Sequence, residues 1–151
     1  MALIDYALTT VDRAKDYIGE DSYSSADDTF IEAMINIATN FVEDYTGRRF
    51  KKTTYTNEIH DGTGGESITL DHYPIMEGES FKLEYRDSSS NTDSWEEEDT
   101  EDYFVYYDEG IVTLTGGGKF KRRRRNWRVS YTAGYDFDNT TTYLGDTKAG
   151  D

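Results

Sequence analysis

The feature that most constrains this chain is an amphipathic segment and the way it stops. Between residues 28 and 45, Phe30, Ile31, Met34, Ile35, Ala38, Phe41, Val42 and Tyr45 recur at steps of three and four. That spacing gathers side chains on one face of an α-helix. Ser24, Ser25, Asp27 and Asp28 precede the run and supply N-cap candidates and first-turn acids suited to the positive helix end. Gly47 stands where a helix C-terminus adopts the left-handed conformation, with Arg48 and Arg49 beside the negative end. A helix of this span is about 27 Å long, the thickness of a small domain. After Phe50 the apolar period changes to two, so the chain reads as a helical head followed by a sheet.

A shorter helix is expected over residues 11–18, capped by Thr9 or Thr10, with Val11, Ala14 and Ile18 facing inward and Gly19 ending it. The polar stretch 20–26 would close the two helices into an αα-hairpin. Beyond Phe50, Tyr55, Asn57 and Ile59 alternate with Thr54, Thr56 and Glu58, and a glycine-rich turn follows at 61–65. Ile68 with Leu70, and Phe81 with Leu83 and Tyr85, mark two further strands, followed by a polar loop over 87–94. Residues 103–107 and 111–115 flank Asp108, Glu109 and Gly110 as a hairpin, Gly116, Gly117 and Gly118 break the chain, and Trp127, Val129 and Tyr131 mark the last strand. The short connections make the strands mostly antiparallel. The expected fold class is α+β: an N-terminal αα-hairpin, then a sheet of about six short strands. Residues 136–151 are polar apart from Phe137, Tyr143 and Leu144, and are expected to form a flexible tail.

Composition narrows the function. A chain of 151 residues suits one domain. The absence of cysteine excludes disulfides and thiolate metal sites. No stretch approaches the roughly 18 apolar residues of a membrane span, and the N-terminus lacks the regions of a signal peptide. Thirty-one acids against 16 bases leave a net charge of −15, which repels nucleic acid as a whole. His60 and His72 stand apart in sequence, each beside an aspartate. No HExxH, GxSxG or P-loop pattern is present, and Gly62, Gly64 and Gly65 neither open a helix nor adjoin a lysine, so they read as a turn. No enzyme, cofactor or metal site is expected.

Two charge blocks are sharper. Glu96, Glu97, Glu98, Asp99, Glu101 and Asp102 place six acids in seven residues. Lys119, Lys121, Arg122, Arg123, Arg124, Arg125 and Arg128 place seven cations in ten. The basic run is a solvated hairpin tip, a nucleic-acid contact with steep salt dependence, or one half of a complementary pair. A basic block and an acidic block on different faces suit head-to-tail contacts between copies, which close into rings. These thirteen residues are therefore the candidate subunit interface.

The ordered motifs resemble the head–tail connector (adaptor) family of tailed double-stranded DNA viruses. The resemblance runs through LTTVDRAKDYIG (8–19), DDTFIEAMINIATNFVEDYTGRRF (27–50), ITLDHYPI (68–75), FKLEYRD (81–87), YFVYYDEGIVTL (103–114) and WRVSYTAGY (127–135). It implies a single connector domain over 1–135, with a helical part at 8–47 and a β part at 50–135, and a tail over 136–151. It also implies a structural virion protein: a ring of about twelve subunits between portal and tail, extending the DNA channel. The implied partners are the portal protein, a tail-completion or stopper protein, and genomic DNA that passes without sequence-specific binding. The implied location is the virion neck, reached through the host cytoplasm during assembly. Phe137, Tyr143 and Leu144 are the apolar anchors the tail offers to the portal. Two departures stand out: relatives often continue into further helices that pack on the first pair, and the arginine run is unusual. The alternatives are a nucleic-acid-binding module built on residues 119–128 and a carbohydrate- or host-recognition β-module.

Overall fold

The computed structural model describes residues 2–19, 24–86 and 94–136. These form two compact units, a helical one reaching Lys51 and a sheet one from Lys52 to Tyr135. The proposed portal anchors Phe137, Tyr143 and Leu144 lie outside the described residues.

The helical unit holds α1 (Val11–Ile18) and α2 (Ser25–Thr46). Thr10, not Thr9, caps α1, its hydroxyl accepting the Arg13 N–H at 3.3 Å. Ser24 caps α2, and its own N–H donates to the Asp27 carboxylate at 2.9 Å. Gly19 and Gly47 end the helices in the left-handed region, with φ of 73° and 65°, where a side chain would be strained.

The apolar stripe of α2 does not all turn inward. Ile31 and Ile35 pack with Ala7 in a small core edged by Leu3, Ile4, Val11 and Ala14. The same helical row continues as the buried polar pair Thr39 and Glu43. Each is satisfied: Thr39 Oγ1 accepts the Leu8 N–H at 3.2 Å, and the Glu43 carboxylate accepts the Phe50 N–H at 3.2 Å beside Arg49. Asn36 ties down the N-terminal segment, accepting the Ile4 N–H at 3.1 Å and donating to the Ala2 carbonyl at 3.0 Å. Among the described residues of this unit, an eight-residue α1 and a short strap cover one row of the 22-residue helix. Phe30, Met34, Ala38, Phe41, Val42 and Tyr45 are consequently exposed. Ile18, in the last turn before Gly19, is also half exposed.

The described residues of the sheet unit form seven strands: β1 (Thr53–Gly62), β2 (Ser67–Thr69), β3 (Lys82–Tyr85), β4 (Glu96–Glu97), β5 (Tyr103–Tyr106), β6 (Ile111–Leu114) and β7 (Arg123–Ala133). They form a four-stranded sheet, β1-β7-β3-β4, and a three-stranded sheet, β2-β6-β5, with every pairing antiparallel. The α+β reading holds, with one strand more than expected. The addition, β4, lies inside the acidic block. Trp127, Val129, Tyr131 and Ala133 of β7 alternate into a core with Leu83, Val112, Leu114, Ile68, Leu70 and Phe120. β7 begins at Arg123, so most of the arginine run belongs to the strand itself.

β1 departs from strict alternation. Its register against β7 shifts between Tyr55 and Glu58, and Asn57 has a φ of 57°. This bulge inserts one residue and exchanges the faces beyond it. Ile59 turns outward, while Glu58 and His60 turn in.

Candidate functional site

The sheet end where β1 and β7 pair last, Gly62 opposite Arg123, carries the basic run. Asn126, 2% exposed, staples it: Oδ1 accepts the Gly62 N–H at 2.9 Å and Nδ2 donates to the Lys121 carbonyl at 3.0 Å. Asp61 Oδ1 accepts the Arg125 N–H at 2.7 Å, and the Arg86 Nε–H donates to the Arg125 carbonyl at 3.1 Å. Phe120 is fully buried against the edge of Trp127, anchoring the chain just before the cations. Only glycine fits at 62, because a Cβ there would lie 1.8 Å from the Lys121 carbonyl oxygen. Backbone and buried amide thus hold the turn, leaving the side chains of residues 121–125 exposed. Among the described residues, Arg122, Arg123, Arg124 and Arg125 form no ion pair.

Arg128 does not belong with them. Its guanidinium meets Glu84 in a two-pronged pair, Nε and Nη2 each 2.7 Å from a carboxylate oxygen. Glu84 is 3% exposed. Arg128 and Arg86 both lie 4.7 Å from the Trp95 ring centre, near enough for cation–π attraction. The hydrogen bonds from Arg128, reinforced by Lys82, outweigh burial and hold the Glu84 carboxyl below its ordinary value.

The acidic block is partly used inside the chain. β4 sets Glu97 opposite Glu84, a like-charge juxtaposition that is ordinarily unfavourable. Lys82 sits between them, 3.0 Å from Glu84 and 3.4 Å from Glu97. The Tyr85 hydroxyl donates to Glu96 at 2.9 Å. Asp99 caps a single 3-10 turn, Thr100–Asp102, by accepting the Glu101 N–H. Burial raises the Glu98 carboxyl above its ordinary value, and Asp102 and Asp99 push it further the same way. Glu96, Glu97, Asp99, Glu101 and Asp102 remain exposed. Among the described residues no ion pair joins this block to Arg122–Arg125.

The two histidines, separate in sequence, converge on Glu58. His60 Nε2 lies 2.7 Å from its carboxylate and His72 Nε2 3.9 Å. The Tyr131 hydroxyl donates to Glu58 at 2.8 Å and accepts the His72 N–H at 3.2 Å, while Tyr55 stacks on His72 with centroids 3.8 Å apart. Burial would raise the Glu58 carboxyl, but the hydrogen bonds from His60, Tyr131 and the Asp71 N–H hold it below its ordinary value. The β1 bulge created this cluster, so no sequence spacing signalled it. Among the described residues no group of three or more His, Cys, Asp and Glu side chains is placed to hold a metal ion. No described helix is long and apolar enough to cross a membrane.

The arrangement offers surfaces for contact: a rigid cationic tip, an acidic edge and an apolar helix face. A family model described as head completion protein matches residues 7–146. No curated protein matches the chain.

Proposed function

Since this chain belongs to the head completion protein family, it is a structural protein of the viral head–tail region, and we propose that it works there as a ring-forming adaptor. About twelve copies, in this reading, stack head-to-tail below the portal and extend the channel through which the genome moves. The observation that carries it is the cationic tip: Arg122–Arg125 are exposed, unpaired within the described chain and held on a stapled sheet end. The exposed acids Glu96, Glu97, Asp99, Glu101 and Asp102 are the complementary face on the next copy, with Glu98, Lys119 and Lys121 at the margins. Such patches set register and orientation more than affinity. Arg128 drops out of this interface, since Glu84 occupies it.

The net charge of −15 suits a channel wall. Negative surface does not condense on DNA phosphates, so the genome slides past it during packaging and ejection. Phe137, Tyr143 and Leu144 remain the proposed portal anchors, with a stopper or tail-completion protein on the distal side and assembly in the host cytoplasm.

The test is reconstitution on purified portal assemblies, counting bound copies by mass spectrometry. Wild-type protein should bind in copies near-equal to the portal. The variant with Ser at 122, 123, 124 and 125 should fold normally yet lose ring occupancy at least tenfold. Unchanged occupancy by that variant would sink the charge-pairing interface. The same tip also favours nucleic-acid binding, and a low-salt filter assay separates the readings: an adaptor retains free DNA weakly, a binding module tightly.

A further inference from the structure

The outward face of α2 is an apolar stripe that nothing among the described residues of the helical unit covers. Phe30 is 66% exposed, Ile37 60%, Phe41 69% and Tyr45 84%, with Met34 beside them. At about 100° per residue these five fall within an arc of roughly 80°. Three aromatics of about 150–250 Å² each, plus Met34 and Ile37, present on the order of 600 Å² of apolar surface. Covering that area on two copies removes about 1,200 Å², the lower end for a specific interface.

The stripe is also symmetric about its own middle. On either side of the midpoint between Ile37 and Ala38, Phe30 and Tyr45 stand at equal distances, as do Ala33 and Val42, and Met34 and Phe41. An antiparallel copy would therefore set Phe30 against Tyr45 and Met34 against Phe41, with Ile37 and Val42 each against a small alanine. This is the self-complementarity that a two-fold contact requires. The helix dipoles favour the same direction, since antiparallel pairing opposes them and parallel pairing stacks like ends.

We infer that the free chain forms an antiparallel dimer through the outward face of α2, with its two-fold axis between Ile37 and Ala38. A two-fold contact of this kind cannot itself build a cyclic ring, so the inference stands apart from the adaptor reading and concerns the protein before assembly.

The test uses the full chain in two ways. Light scattering across low- to high-micromolar concentration should show the mass rise from one chain to two and level there. Phe41→Glu should stay at one chain throughout, with unchanged circular dichroism because the side chain is already exposed. The chain has no cysteine, so single introduced thiols report geometry. Ala38→Cys should cross-link to itself under mild oxidation. Phe30→Cys should not, since its copy lies about 23 Å away along the axis, but it should cross-link when mixed with Tyr45→Cys chains. A mass fixed at one chain, a plateau above two, Phe41→Glu dimers, or self-linking of Phe30→Cys would each overturn the inference. A failed portal reconstitution would leave it untouched.

Discussion

Glu84→Gln is the most informative single substitution, because it tests whether Arg128 holds the fold rather than an interface. The change keeps the side chain's shape and removes its charge. In the wild type the buried carboxylate accepts two short hydrogen bonds from Arg128 and one from the exposed Lys82. Removing one partner of a buried pair costs about 3–5 kcal/mol, since the other charge is left uncompensated. Arg128 is 23% exposed and keeps the Trp95 face, so water and the ring recover part of that. The expected loss is about 2–4 kcal/mol. Both tryptophans, Trp95 and Trp127, lie in the sheet unit, so their fluorescence during urea unfolding reports this unit alone. With a slope of about 1–2 kcal/mol per molar, the midpoint should fall by about 1–4 M. The pH dependence has a definite sign. The folded-state value of Glu84 is depressed, so its contribution is present above the unfolded carboxyl value, about 4.3, and fades as pH drops through the lower folded value. The gap between wild type and variant should therefore close in acid. A double-mutant cycle with Arg128→Ala isolates the pair, and a coupling below about 0.5 kcal/mol would refute the reasoning.

Two further outcomes are expected. Gly62→Ala should destabilise the sheet unit by at least about 2 kcal/mol in the same assay, because its Cβ would run into the Lys121 carbonyl; Gly65→Ala, whose Cβ meets only the Thr63 hydroxyl at 3.4 Å, should be close to neutral. Tyr131→Phe removes the hydroxyl that bridges Glu58 and the His72 N–H and should cost about 1–2 kcal/mol. It should also raise the Glu58 carboxyl, so that carbon-detected NMR titration shows it protonating at higher pH; an unmoved titration would discount the bridge.

Local chemistry was legible wherever the chain decides its own conformation. The caps at Thr10, Ser24, Gly19 and Gly47, the span of α1 and the alternation of Trp127, Val129 and Tyr131 depend on near neighbours, and each appears in the structure as the residues imply. The ordered motifs that resembled a connector were likewise local, and the family match covers them. What depends on distant partners was not legible. The apolar stripe of α2 showed that a helix forms but not how much of it is covered, since coverage depends on the size of what packs there. The seven-cation block looked uniform, yet Glu84, forty-four positions away in sequence, takes Arg128 out of it.

The face assignment of β1 shows the same division most sharply. Alternation in the sequence puts Tyr55, Asn57 and Ile59 together, because a strand has a period of two. One inserted residue at the bulge reverses every position after it. Pairing with β7 set that register, and it brought Glu58, His60, His72 and Tyr131 into one cluster. The sequence by itself determined which segments are helices and strands, through periodicity and capping. Only the tertiary structure decided which faces meet, because burial and register are properties of two surfaces in contact.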